Sequence, residues 1–98
     1  MITKTPAKKG ATTKVTFEVP SDVEAKSICL CGDFNDWNRE ATPLTQRKGG
    51  RWTATLTLAQ GRAYRFRYLI DGDRWENDTG ADEYVDNGYG SKDSVVSV

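Results

Sequence analysis

"RWTATLTLAQGRAYRFRYLI", Arg51 to Ile70, holds two alternating runs joined by a turn pair. Trp52, Ala54, Leu56 and Leu58 fall on one face of an extended chain, with Thr53, Thr55 and Thr57 on the other. After Gln60 and Gly61, Tyr64, Phe66, Tyr68 and Ile70 share a face opposite Arg65, Arg67 and Leu69. A period of two marks a half-buried strand. A slip of one residue would turn every large apolar side chain to solvent, so the register is firmly specified. The short connection predicts that these strands pair as a hairpin.

Outward from this pair the chain keeps to extended segments. "TKVTFEV" (Thr13 to Val19) alternates Val15, Phe17 and Val19 against Lys14, Thr16 and Glu18, and Pro20 closes it. "KSICLC" (Lys26 to Cys31) is a short apolar run ended by Gly32. "DGD" at Asp71 to Asp73 is a turn, "RWEN" a short strand leaving it, and "SVVSV" a last strand after a long loop, Asp78 to Asp93. No window sustains a period of 3.6. About seven short strands (six or seven by count) with no substantial helix predict an all-β fold, a two-sheet antiparallel β-sandwich of immunoglobulin-like type, with a barrel as the alternative. At 98 residues there is room for one core. Residues 1–11 read as a flexible basic tail and 12–98 as a single domain.

Several function classes fall away on composition. The tail carries Lys4, Lys8 and Lys9, with Lys14 just beyond, and no acid, whereas Asp71 to Asp93 holds eight acids against Arg74 and Lys92. An acidic far end lacks the basic stripe that phosphate contacts need, so no nucleic-acid partner is expected. No apolar run approaches the ~18 residues of a membrane span, and "MITKTPAKKGATT" lacks the apolar stretch of a secretory signal; no membrane partner and a cytoplasmic location are expected. Cys29 and Cys31, an i, i+2 pair on one strand face, are poorly placed for a disulfide and read as small strand residues.

The chain has no histidine, which removes the commonest general base and metal ligand. Its acids sit in turns beside Gly and Asn, where a glycosidase would need one raised by apolar burial. "DGDRWENDTGADE" begins like a calcium loop but has Trp75 at the fifth position and Glu76 at the sixth, where glycine is required. No catalytic residue, metal or cofactor is expected.

The aromatics carry more information. Trp52 heads an apolar strand face and reads as core. In "CGDFNDWN" (Cys31 to Asn38), Phe34, nearer the strand, is expected to pack inward, whereas Trp37 sits among turn-formers outside any alternating face. Trp75 is placed similarly. A flat ring displayed among amides and carboxylates suits a sugar, which has an apolar C–H face and a rim of hydroxyls.

"GDFNDWN" followed by Pro43 and Leu44, then Trp52, "YRFRYLIDGDRWEND" and "YVDNGYGSKDSVVSV" resembles, from about Val15 to Val98, carbohydrate-binding module family 48. This is the glycogen- and starch-binding domain found beside isoamylases and branching enzymes and in the β subunit of AMP-activated protein kinase. The resemblance implies an early-set immunoglobulin-like sandwich. It also implies that Trp37 and Trp75 stack on glucose units, with Arg67 at a usually basic strand position, Tyr89 reaching along the sugar, Ser91 supplying a hydroxyl and Asp93 at an asparagine site. Arginine in place of the usual lysine turns a point donor into a planar fork, Asp93 lacks the amide donor, and the turn before Trp75 is one residue longer.

The implied function is a non-catalytic module that binds an α-1,4-glucan polysaccharide or maltooligosaccharide through tryptophan platforms. The alternative is a protein-interaction module that docks onto a glycogen-metabolising enzyme or kinase, with a vestigial sugar site.

Overall fold

A computed structural model describes residues 1–7 and 10–98. Among them the strands in chain order are β1 (Ile2–Pro6), β2 (Thr12–Val19), β3 (Ile28–Gly32), β4 (Thr45–Gln46), β5 (Trp52–Ala59), β6 (Ala63–Ile70), β7 (Arg74–Glu76), β8 (Glu83–Asp86) and β9 (Lys92–Ser97). One antiparallel sheet has the order β1-β2-β5-β4 and the other β3-β6-β9-β8, with β7 also on β6. The two stack as a β-sandwich. Among the described residues no helix is long and apolar enough to cross a membrane.

The alternating faces meet between the sheets. β2 contributes Val15, Phe17 and Val19 and β5 contributes Trp52 and Leu58; they face Ile28 and Leu30 of β3, Tyr64, Phe66, Tyr68 and Ile70 of β6, and Val96 of β9. Phe17 meets Phe66 edge-on across the gap, ring centres 5.0 Å apart. Each such side chain contributes about 1.5–3 kcal/mol on full burial. Cys31 is buried and Cys29 half-buried, and both are free thiols; burial pushes both up from the ordinary thiol range.

The expected hairpin is not formed. β5 pairs along its whole length with β2 and, at Trp52 and Thr53, with β4, whereas β6 lies in the opposite sheet between β3 and β9. The chain changes sheets at the turn itself: Gln60 N–H donates to Ala11 O (2.7 Å) on one side, and Gly61 N–H to Val98 O (2.7 Å) on the other. The Tyr64 hydroxyl donates back to Ala59 O (3.2 Å), pinning this corner. Both apolar faces are still buried, but against each other across the core.

Two edge strands also depart from expectation. Ile2–Pro6, expected within a flexible tail, pairs along β2 with Ile2 opposite Phe17 and Pro6 opposite Thr13. Lys4 Nζ reaches Asp82 at 2.6 Å. Lys8 and Lys9 of that tail lie outside the described residues. Glu83–Asp86, inside the expected long loop, pairs with β9. Both strands are held by ladder hydrogen bonds at a sheet edge and bury little, so neither has the apolar alternation that marks a strand in sequence.

That loop also conceals a buried carboxylate. Asp78 is 2% exposed. Its Oδ2 accepts from the Tyr68 hydroxyl (2.6 Å) and its Oδ1 from Gly80 N–H (2.7 Å). Burial and the adjacent Asp78 carboxylate push the Tyr68 hydroxyl far up, so it remains a donor.

Candidate functional site

Strand β6 organises the outer face of its sheet. One edge pairs with β3; the other pairs with β9 as far as Phe66 and with β7 from Tyr68 onward. Arg67 therefore lies at the junction of β9 and β7, on the face away from the core. Cys31 is its cross-strand neighbour, and Leu69 is paired with Trp75. Leu69 and Val95, also outward by register, are each only 4% exposed. The sulfur of Cys31 lies 3.5 Å from Asn38 O, so the loop after β3 folds back over this face.

Each residue of that loop has a physical role. Gly32 is needed because a Cβ there would lie 2.5 Å from Arg65 O and 2.8 Å from Phe66 Cβ. A 3-10 turn, Asp33–Asn35, follows. Phe34 turns inward, with ring centres 5.7 Å from Phe17 and 6.1 Å from Tyr64. Asn35 ties the loop together: its Oδ1 accepts from Gly32 N–H (3.0 Å), and its Nδ2 donates to Leu30 O (2.8 Å) and Thr42 Oγ1 (3.0 Å).

Asp36 and Trp37 both have φ of +56°. This left-handed conformation costs a non-glycine residue about 1–2 kcal/mol. It is held by Trp37 N–H donating to Gly32 O at 2.9 Å. The strain turns the indole to the outer face, opposite to Phe34 three residues earlier. Asp33 then fixes the ring: Oδ1 accepts from Trp37 Nε1–H (3.0 Å), while Oδ2 accepts from the backbone N–H of Arg65 on β6 (2.8 Å).

Trp37 and Trp75 come together with ring centres 6.4 Å apart and planes inclined at 61°. They form a corner instead of one flat platform. Asp33, Trp37, Arg65, Arg67, Trp75, Asn87, Tyr89 and Asp93 line an open groove of about 540 Å³. Five of the six residues singled out in the sequence thus meet in one place. Ser91 does not line the groove: its hydroxyl accepts from Asn87 Nδ2 (2.8 Å) in the turn between β8 and β9. At the tip of that turn, between Gly88 and Gly90, both at φ +81°, Tyr89 is 91% exposed.

Asp93 is buried, and its Oδ1 accepts from Asn87 Nδ2 at 3.2 Å. The groove therefore has an amide, but on Asn87. Asp33, Arg65 and Asn87 were not singled out from sequence. Asp33 stood in the motif but read as a turn-former, and only its bond to Arg65, 32 residues on, reveals it. Arg67 and Arg39 each place a guanidinium carbon 5.6 Å from the Trp75 ring centre.

The groove supplies two aromatic surfaces ringed by hydrogen-bonding groups, which suits a ligand with apolar faces and a polar rim. Among the described residues no group of three or more His, Cys, Asp or Glu side chains is arranged to hold a metal. No curated protein matches the chain. The family model described as Carbohydrate-binding module 48 (Isoamylase N-terminal domain) matches residues 5–86, a span that includes Trp37, Arg67 and Trp75 and ends before Tyr89.

Proposed function

This chain belongs to the carbohydrate-binding module 48 family, and from that premise we propose that it is a non-catalytic module for α-1,4-glucans. Glycogen, starch or maltooligosaccharide chains bind in the groove, with Trp37 and Trp75 as stacking surfaces. The observation that carries this reading is the convergence of Trp37, Arg67, Trp75, Tyr89 and Asp93 on one open groove.

The inclination of the rings bears on ligand shape. A flat β-linked ribbon presents coplanar sugar faces, whereas an α-1,4 chain turns from one unit to the next. Two surfaces at 61° suit the turning chain. Burying about 100 Å² of apolar surface on each ring contributes roughly 2.5 kcal/mol per ring. A sugar that displaces one arginine from the Trp75 face gives up about 0.5–1 kcal/mol. Stacking therefore prevails, and after association costs a single-site Kd between about 10 μM and 1 mM is expected. Multivalent attachment to a branched polymer tightens this.

The groove's carboxylates support binding over hydrolysis. Asp33 has both oxygens engaged and Asp93 accepts from Asn87.

Titration with maltoheptaose while following tryptophan fluorescence tests ligand class and ring involvement together. Trp37→Ala and Trp75→Ala should each lose retention on glycogen in affinity electrophoresis while keeping the sandwich. Wild-type retention by both variants would refute the stacking reading.

A further inference from the structure

The turn between β8 and β9, with the start of β9, supplies Asn87, Tyr89 and Asp93 to the groove. Its own sequence does little to fix it. Gly88 and Gly90 flank Tyr89, both at φ +81°, and glycine gives up more conformational freedom than any other residue when it is held in one conformation. The backbone closes the turn with Asn87 N–H donating to Ser91 O (3.1 Å). The Tyr89 side chain is 91% exposed, so it offers a ligand a well-placed ring only where the chain beneath it is fixed.

The Asn87 amide provides that fixing. Its Oδ1 accepts from Tyr89 N–H (2.9 Å), an Asx turn across Gly88. Its Nδ2 donates to Ser91 Oγ (2.8 Å) across Gly90 and to Asp93 Oδ1 (3.2 Å). Asp93 is buried on β9, so the last of these bonds ties the turn to the sheet. Both N–H hydrogens of the amide are thereby used, which leaves Asn87 no donor for a ligand although it lines the groove. A lining residue whose donors all point into its own turn acts on the shape of that turn.

We propose that Asn87 is a positioning residue of the glucan site: its amide holds the backbone beneath Tyr89, so that a chain lying in the groove has only the tyrosine side chain left to order. The inference rests on the α-glucan reading and adds to it the residue through which Tyr89 becomes usable. Without the amide, ligand must order two glycines as well as the ring. The bond to Asp93 gives the arrangement a polarity. A carboxylate at position 87 keeps an acceptor for Tyr89 N–H but faces the Asp93 carboxylate with no donor between them. Exchanging amide and carboxylate between positions 87 and 93 restores a donor opposite an acceptor.

Calorimetry with maltoheptaose on the wild type, Asn87→Ala, Tyr89→Ala and their double variant tests the coupling, with the fold checked by circular dichroism. Asn87→Ala and Tyr89→Ala should each bind about three- to tenfold more weakly than the wild type. The double variant should bind no more than about twofold more weakly than Tyr89→Ala alone, because Asn87 acts through Tyr89. Asn87→Asp should also weaken binding, and Asn87→Asp combined with Asp93→Asn should return to within about twofold of the wild type. Wild-type affinity in Asn87→Ala or in Tyr89→Ala overturns the inference. An undiminished loss when Asn87→Ala is added to Tyr89→Ala does so too, because Asn87 then acts by a route other than Tyr89. So does an exchanged pair that binds no better than Asn87→Asp alone. In all three cases binding by the wild type leaves the glucan reading standing, whereas absence of wild-type binding overturns both.

Discussion

Replacing Asp33 with alanine isolates the positioning of Trp37 from its stacking. The substitution removes the acceptors of Trp37 Nε1–H at 3.0 Å and of Arg65 N–H at 2.8 Å. Hydrogen bonds to a charged group contribute about 1.5–3 kcal/mol each when well shielded, but Asp33 is exposed and water can replace it. The expected loss of stability is therefore about 1–2 kcal/mol for the pair, read from urea unfolding. The indole, no longer tethered, must be ordered when ligand binds. That costs about 0.5–1.5 kcal/mol, a weakening of roughly two- to twelvefold for maltoheptaose by calorimetry. Asp33→Asn keeps one acceptor oxygen and should lie between wild type and alanine on both measures. If Asp33→Ala loses stability as expected but binds maltoheptaose as tightly as the wild type, the tether does not prepare the ring for ligand and the reasoning is wrong.

The remaining expectations concern the frame around the groove. Gly32→Ala forces a Cβ to 2.5 Å from Arg65 O, so β3 and β6 must move apart; a loss of about 1–3 kcal/mol in urea unfolding is expected. Asp78→Ala leaves the buried Tyr68 hydroxyl without its acceptor and should cost about 2–3 kcal/mol by the same measurement, without altering sugar specificity. Acid should weaken the fold. The backbone N–H groups of Lys26 and Ser27 hold the Asp71 carboxyl below its usual range. Asp82 is also held low, because burial, which would raise it, is outweighed by the Lys4 ammonium and Ser97 N–H. A carboxyl lowered by folding contributes fully above its unfolded value near 3.9 and is lost as pH falls through the folded one. Thermal unfolding should thus be insensitive to pH from neutrality to about pH 5 and fall below about pH 4, less steeply in Asp71→Asn.

β2, β5 and β6 were legible from apolar residues recurring at second positions on the buried face, and β3, β7 and β9 from short runs bounded by turn residues. β1 and β8 were not, because an edge strand held by its ladder can have almost any side chains that tolerate extension. The partner of β5 was not legible either. A short turn between two strands permits pairing, but which sheet β6 joins depends on β3 and β9, which are remote in sequence. In the groove, Trp37 and Trp75 could be singled out because a large ring among turn-formers is locally anomalous. Nothing local distinguishes Asp33 from Asp36. One holds the indole and the neighbouring strand, while the other takes the left-handed turn.

This division within "GDFNDWN" bears on how the proposed glucan site, a shallow groove on a small sandwich, would gain its affinity. An open site gains little from enclosure, so its affinity depends on how much order is already present before ligand arrives. Trp37 is held through its backbone by Gly32 and through its indole by Asp33, and Trp75 is held on β7 against Trp37, Arg39 and Arg67. Tyr89 is the contrast: it stands on a glycine-flanked turn with its N–H bonded to Asn87 Oδ1, but its side chain is 91% exposed, and any contact that side chain makes must first order it. In the proposed glucan site the fixed rings would therefore set which ligand shape is accepted, while Tyr89 would add contact area at a larger entropic cost. The left-handed strain at Asp36 and Trp37 is offset by the core that Phe34 joins on the other side of the same loop, so the display of Trp37 depends directly on the packing of the sandwich.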